Sequence, residues 1–351
     1  MSNETPPAKR KRTEDPAAED AETTKRSARF WFDDGNVVLQ AGNTQFRVHR
    51  SHLVLHSEIM KDCFSCPQPD GVPAVEGCPL VHLPDSVQDI ENLCALLYGL
   101  YHIDVQGIDT SYLGTMIRMG RKYDISFFKI SALKCLRDLF PRTLEEWDVS
   151  HLEVKKIILR SPPFLFEVVN MAYENHIPSI LPAAFLSMYK LYNLGTLTSG
   201  LKLKSNLPGE PDQRIMLEPL ALIDCLNGRT SMGSLTQWML DDIGLGTWNL
   251  DGDAIYAVPC YDCTDKPMCS KGLTELFAAL VRLGVNSRQI QIPKTFLEIC
   301  DTYRLLEEEG NPFCDPCMLV LQEIFDKNRI AMWDEFPANL PSWRDTKDFD
   351  T

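Results

Sequence analysis

The feature that most constrains this chain lies between Val37 and Phe64, where the hydrophobic period changes once, from two to about 3.6. Val37–Ala41 and Thr44–Val48 read as strands joined by Gly42-Asn43, a small pair that tolerates positive φ and closes a hairpin. After Val48, the positions Leu53, Leu55, Ile59, Met60, Cys63 and Phe64 recur at steps of three and four, which is helical spacing. Ser57 falls where one helix would stop and a second start, with a hydroxyl that can accept from a free backbone N–H. A hairpin followed by two short tandem helices is therefore predicted.

Downstream, Pro67 to Pro79 reads as a Pro/Gly loop and Leu80–Leu83 as a brief strand, and Asp85-Ser86 gives a capped start to the helix SVQDIENLCALLYGLY. Leu113, Met116, Ile117, Met119 and Tyr123 mark an amphipathic helix, as do Phe127, Ile130, Leu133, Leu136 and Leu139 in the next. Pro141 closes this first unit, residues 30–140. Beyond it, TLEEWD, LEVKKIILR, FLFEVVNMAYEN, LPAAFLSMYKLY, EPLALIDCLNGR, LTELFAALVRLG and TFLEICDTYRLLEEE are helical segments punctuated by Pro and Gly, so residues 141–351 are expected to be mostly α. The fold class is α+β, short strands with a helical cluster followed by a helical region.

Residues 1–29 contain no aromatic residue and no Leu, Ile or Val, so they cannot bury enough apolar surface to offset ordering and read as a disordered tail. Its basic clusters, Lys9–Arg12 and Lys25–Arg29, have the two-part arrangement of a nuclear-import signal, or belong to a solubilising tail of mixed charge. Nucleus or cytoplasm is the expected location. The whole chain carries a net charge of −14. The tail's seven Lys/Arg against six Asp/Glu leave about −15 for the remainder, which repels phosphate backbones, so direct nucleic-acid binding is not expected.

The N-terminus is polar, with Pro6, Pro7 and Lys9–Arg12 where a secretory signal carries an apolar stretch, so a reducing compartment and mostly free thiols are expected for the twelve cysteines. Uncharged stretches such as Asn92 to Ile103 and Asn175 to Tyr189 fall short of the ~18 residues needed to span a bilayer, and no membrane span is expected. Three C-x-x-C pairs occur, at Cys63/Cys66, Cys260/Cys263 and Cys314/Cys317. The last two could supply a tetrathiolate zinc site, with Cys269 as a spare, although the fifty residues between them exceed the ~15–20 of compact zinc modules. The alternative is that these thiols merely pack, with no cofactor. His49, His52 and His56 could share a helix face, yet with no nearby carboxylate or matching thiolate they make a weak metal site.

The spacing of Phe46, His49, Arg50, Leu53, Ser57, Met60 and Phe64 matches the signature F-x-x-H-K/R-x-x-L-x-x-x-S-x-x-F/M-x-x-x-F of BTB/POZ domains. LLYGLYHIDV and RKYDI resemble that family's later helix ends, so residues 30–140 resemble a complete BTB domain. FWFDDGNVVLQA, LPAAF, Asp224–Arg229 (DCLNGR) and the closing R-x-x-x-W-D-E-F-P at Arg329–Pro337 resemble the BTB proteins of mushroom-forming fungi. The resemblance implies that His49 is a fold residue, partly buried and hydrogen-bonded at the strand–helix junction. In many such domains an Asp ten residues before the motif Phe lines a charged dimer pocket, and here Asn36 stands in its place. It implies homodimerisation, but Phe30–Phe32 follows the tail so closely that little room is left for an N-terminal strand to exchange between copies.

No G-x-S-x-G, H-E-x-x-H or P-loop pattern occurs, and the carboxylate runs Glu145/Glu146 and Glu307–Glu309 read as solvated helix faces. The expectation is a non-enzymatic protein-interaction module that self-associates or binds a scaffold, serving as an adaptor for a cullin-based ubiquitin ligase or as a nuclear regulatory scaffold. The alternative is a regulatory protein stabilised by zinc on the C-terminal cysteine pairs.

Overall fold

The computed structural model describes residues 24–66, 73–101, 108–203, 213–245, 247–248, 254–256, 258–286, 312–338 and 347–348. These form two compact units, divided within the segment after Tyr101. The protein is mixed α+β, with its larger sheet near the N-terminus and helices after it.

In the first unit, the predicted hairpin joins β2 (Val37–Ala41) to β3 (Thr44–Val48) in antiparallel register, with Leu39 opposite Phe46. β1 (Lys25–Trp31) runs parallel to β3 at the sheet edge, and β5 (Cys78–Leu83) runs parallel to β2 on the other side, giving the order β1-β3-β2-β5-β4. The crossover from β3 to β5 is made by α1 (Arg50–His56) and α2 (Glu58–Ser65), the two tandem helices the sequence predicts. β5 also closes a short hairpin with β4 (Ala74–Val75) through Glu76 and Gly77, both at positive φ, so part of the expected Pro/Gly loop is paired sheet. α3 (Val87–Leu97) follows, capped by Ser86, whose hydroxyl accepts from the Asp89 N–H.

β1 corrects the tail expected over residues 1–29: Lys25–Arg29 belongs to a strand, and residues 1–23, with Lys9–Arg12, lie outside the described residues. The strand leaves little trace in the sequence because only Ser27 and Phe30 are buried in a basic segment. Phe30 is fully buried, and the Ser27 hydroxyl accepts from the backbone N–H of Arg29 and Phe30. Arg26 lies 4.4 Å over the Trp31 ring and pairs with Glu76. There is thus an N-terminal strand, where the sequence reading left little room for one.

The second unit begins with α4 (Thr110–Lys122) and α5 (Ser126–Leu139), which pack on each other, and α4 also packs on α7 (Phe164–Asn175). The boundary read at residue 140 differs from this division, since α4 and α5 cluster with the helices that follow. In α5 the expected Leu133, Leu136 and Leu139 are buried, but at its start Phe128 takes the inward position and Phe127 and Ile130 are exposed. α6 (Leu144–Arg160) starts with a reciprocal cap in which the Thr143 hydroxyl accepts from the Glu146 N–H and donates to the Glu146 carboxylate. That explains Glu146 as a capping residue.

A 3-10 turn at Pro178–Ile180 leads into α8 (Leu181–Leu191), which carries the LPAAF segment, and then α9 (Leu194–Ser199). Two small hairpins, β6 (Leu201–Leu203) with β7 (Gln213–Ile215) and β8 (Thr247–Trp248) with β9 (Ala254–Tyr256), interrupt the otherwise helical half on either side of α10 (Pro219–Leu245). α11 (Lys266–Asn286) and α12 (Asp315–Ala338) complete the unit, and α10 packs along α12. The helix read at TFLEICDTYRLLEEE, with Glu307–Glu309, lies outside the described residues. No described helix is long and apolar enough to cross a membrane.

Candidate functional site

Two groups of side chains concentrate the chemistry, one in each unit. The first is the strand-to-helix hinge that holds the seven signature residues. Phe46, Leu53, Ser57 and Met60 are buried, and the Ser57 hydroxyl caps α2 by accepting from the Met60 N–H at 3.0 Å. Phe64, read as a core residue, is only half-buried: the Arg50 guanidinium lies 5.3 Å over its ring and donates to the Phe64 carbonyl at 2.7 Å.

His49 is half-buried and fully hydrogen-bonded. Its backbone N–H donates to the Tyr98 hydroxyl at 2.9 Å, its Nδ1 meets the same hydroxyl at 2.8 Å, and its Nε2 lies 3.1 Å from Asp34. These contacts fit one tautomer, with Tyr98 O–H donating to Nδ1 and Nε2–H donating to Asp34. The hydrogen bond from His49 holds the Asp34 carboxyl below its ordinary range. Both ring nitrogens of His49 are thereby committed, while the His52 ring stacks on Tyr98 at a centroid distance of 4.5 Å. His49 and His52 therefore serve an aromatic and hydrogen-bonded hinge, to which Phe32 adds a second stack on Tyr98 at 4.9 Å.

Asn36 has a defined task here. α1 has no side-chain cap from its own N-cap residue, His49, and the Asn36 Oδ1 accepts the Arg50 N–H at 2.8 Å from the neighbouring strand start. A neutral amide at this position caps the helix and places no negative charge beside Arg50. Tyr98, which sequence reasoning did not single out, is the hub of the site. Its position one turn beyond the buried stripe of α3 was the available signal.

The second group is a cysteine cluster. The Sγ atoms of Cys263, Cys269, Cys314 and Cys317 all lie within 4.8 Å of one another. Cys269 and Cys317 are completely buried, and Cys263 and Cys314 partly so. Cys263 and Cys314 approach to 3.7 Å, far beyond the ~2.05 Å of a disulfide, and no two described cysteines are bonded to each other. Two backbone amides point at sulfur: the Cys314 N–H donates to Cys269 at 3.3 Å and the Cys260 N–H to Cys317 at 3.4 Å.

Of the four positions read from the C-x-x-C pairs, the structure brings Cys263, Cys314 and Cys317 into the mutually close set and adds Cys269 in place of Cys260. Cys260 lies alongside, its sulfur 3.6 Å from that of Cys317. The exchange follows from α11. The Asp265 carboxylate caps its start by accepting from the Met268 N–H, which sets Cys269 on the buried side of the first turns. The fifty-residue separation is closed by a tight approach at Gly272, where an added Cβ would lie 2.6 Å from the Pro312 carbonyl oxygen and 3.2 Å from the buried Phe313 ring. Cys63 and Cys66, the remaining pair, are exposed on α2 and its C-terminal end and are no part of this cluster.

Thiols this close cannot all ionise together. Burial opposes charge on Cys314, but hydrogen bonds from the Cys317 and Thr264 amides and the Thr264 hydroxyl outweigh it and bring that thiol down to about 5. Burial pushes Cys269 up to about 11, and it pushes Cys317 up as well.

The two downstream motifs are packing devices. In Asp224–Arg229, the Asp224 carboxylate accepts from Tyr173 at 2.6 Å, the Cys225 carbonyl accepts from Tyr189 at 2.8 Å, and a Cβ at Gly228 would meet the Tyr189 hydroxyl at 2.6 Å. In Arg329–Pro337, the Arg329 guanidinium grips Asp148 through both terminal nitrogens, and the Trp333 indole N–H donates to the Arg142 carbonyl at 2.9 Å.

Comparison with protein-family models, with curated proteins and with solved structures finds no match to this chain.

Proposed function

We propose that the chain is a non-enzymatic protein-interaction module, with a BTB-type N-terminal unit that self-associates and a helical unit that engages a second protein. The observation that carries this reading is the hinge at residues 46–64. There the residues that resemble the BTB signature act together as fold determinants, with Phe46, Leu53 and Met60 in the core, Ser57 as the cap and His49 bonded to Tyr98. Leu55 and Ile59 are exposed on α1 and α2, so that unit leaves two apolar side chains accessible. The motifs of the helical unit are occupied by packing, which supports a binding role over a catalytic one.

Two versions follow from the resemblance: a substrate adaptor for a cullin-based ubiquitin ligase, and a nuclear regulatory scaffold. The test is capture of a tagged full-length chain from native cells that also make a differently tagged copy. Recovery of the second copy supports the module, and a cullin in the same eluate selects the adaptor. Failure to recover the second copy under native conditions removes self-association from the account.

A further inference from the structure

We propose that Cys263, Cys269, Cys314 and Cys317 bind one zinc ion as a tetrathiolate that fastens the start of α11 to the start of α12. The inference stands on this cluster alone and is independent of the interaction reading. A tetrahedral site with Zn–S bonds of about 2.3 Å requires sulfur–sulfur separations of about 3.8 Å. Here the four sulfurs lie within 4.8 Å of one another and one pair is at 3.7 Å, so small side-chain rotations complete the tetrahedron. A multinuclear iron–sulfur cluster holds its cysteine sulfurs farther apart than this, which leaves a single soft-ligand cation as the fitting occupant.

Three further observations point the same way. First, the amides of Cys260 and Cys314 donate to two of the sulfurs, Cys317 and Cys269, the outer-shell arrangement that steadies metal-bound thiolates. Second, the sulfurs gather at two helix starts, with Cys269 in the first turns of α11, Cys314 just before α12 and Cys317 in its first turn. The partial positive charge at those ends offsets the excess negative charge of four thiolates around a dication. Third, Gly272 permits the close approach of the Pro312–Phe313 segment that brings Cys314 to Cys269. Helix interiors favour alanine over glycine, so this one has a structural task. Cys260 lies outside the tetrahedron, against Cys317.

The test is metal analysis of the intact protein, purified without added metal or chelating resin, by elemental analysis and native mass spectrometry. One zinc per chain is expected. Cys269→Ser and Cys317→Ser are expected to lose it, and Cys260→Ser to retain it. Should the variants fail to fold, cobalt(II) added to chelator-stripped wild-type protein gives a second readout, the intense visible bands of tetrahedral thiolate coordination. Folded protein that carries no zinc and shows no such bands overturns the proposal, as does a Cys263–Cys314 disulfide found by mass spectrometry. Iron in place of zinc overturns the metal assignment. Zinc lost from Cys260→Ser but kept by Cys269→Ser overturns the ligand set.

Discussion

Arg329→Met tests whether the closing Arg329–Pro337 motif acts through packing. The wild-type guanidinium is 8% exposed, and its partner Asp148 is 16% exposed on α6. The two terminal nitrogens bind the carboxylate while Nε, also buried, has no partner, so the pair is desolvated without being completely satisfied. Removing only the arginine leaves a nearly buried carboxylate without its cation, which costs about 3–5 kcal/mol at full burial and about 2–4 kcal/mol at the exposure seen here. For a domain of this size, each kcal/mol lowers the melting temperature by about 2–4 °C, so a fall of roughly 5–15 °C is expected in circular-dichroism melts. Adding Asp148→Leu to Arg329→Met should restore much of the loss, because replacing both ions with apolar groups removes the desolvation penalty along with the attraction. A single variant within ~0.5 kcal/mol of wild type, or a double variant worse than the single, would refute the reasoning.

Other outcomes follow from the same contacts. Tyr98→Phe removes the hydroxyl that serves both the His49 N–H and Nδ1, and should cost about 1–2 kcal/mol in urea titrations. Gly272→Ala forces a Cβ against the Pro312 carbonyl oxygen, so a loss of about 1–3 kcal/mol is expected together with faster loss of bound zinc to a chelator. Burial opposes the charge on Asp348, but Arg137 and the Ser179 amide and hydroxyl outweigh it and hold the carboxyl below its ordinary range. Because the folded value is depressed, the stability from this group is complete above the unfolded value of about 3.9 and disappears as pH falls through the folded one. The melting-temperature gap between wild type and Asp348→Ala should therefore narrow from about pH 5 to about pH 3.

The hinge was legible in the sequence because each of its signals is local. Gly42-Asn43 sets the hairpin, Ser57 caps the following turn, and Phe46, Leu53 and Met60 keep helical or strand periodicity. What escaped depends on distant partners. β1 carries one large inward apolar residue, Phe30, and forms because β3 offers it an edge. Tyr98 becomes the hinge's hub only when α3 brings it to His49, forty-nine positions away in the chain. The sequence points to two C-x-x-C pairs with Cys269 as a spare, and the structure puts the spare in place of Cys260 because α11 starts at Lys266 and buries the sulfur three residues later. Spacing along the chain identifies chelating turns, whereas a single thiol on a helix gives no such signal.

The most direct test of the central claim, a self-associating interaction module, is the mass in solution of the purified full-length chain by sedimentation equilibrium. A species of twice the chain's 39.8 kDa is expected, dissociating as the protein is diluted. A mass of 39.8 kDa at every concentration at which the protein remains soluble would contradict it.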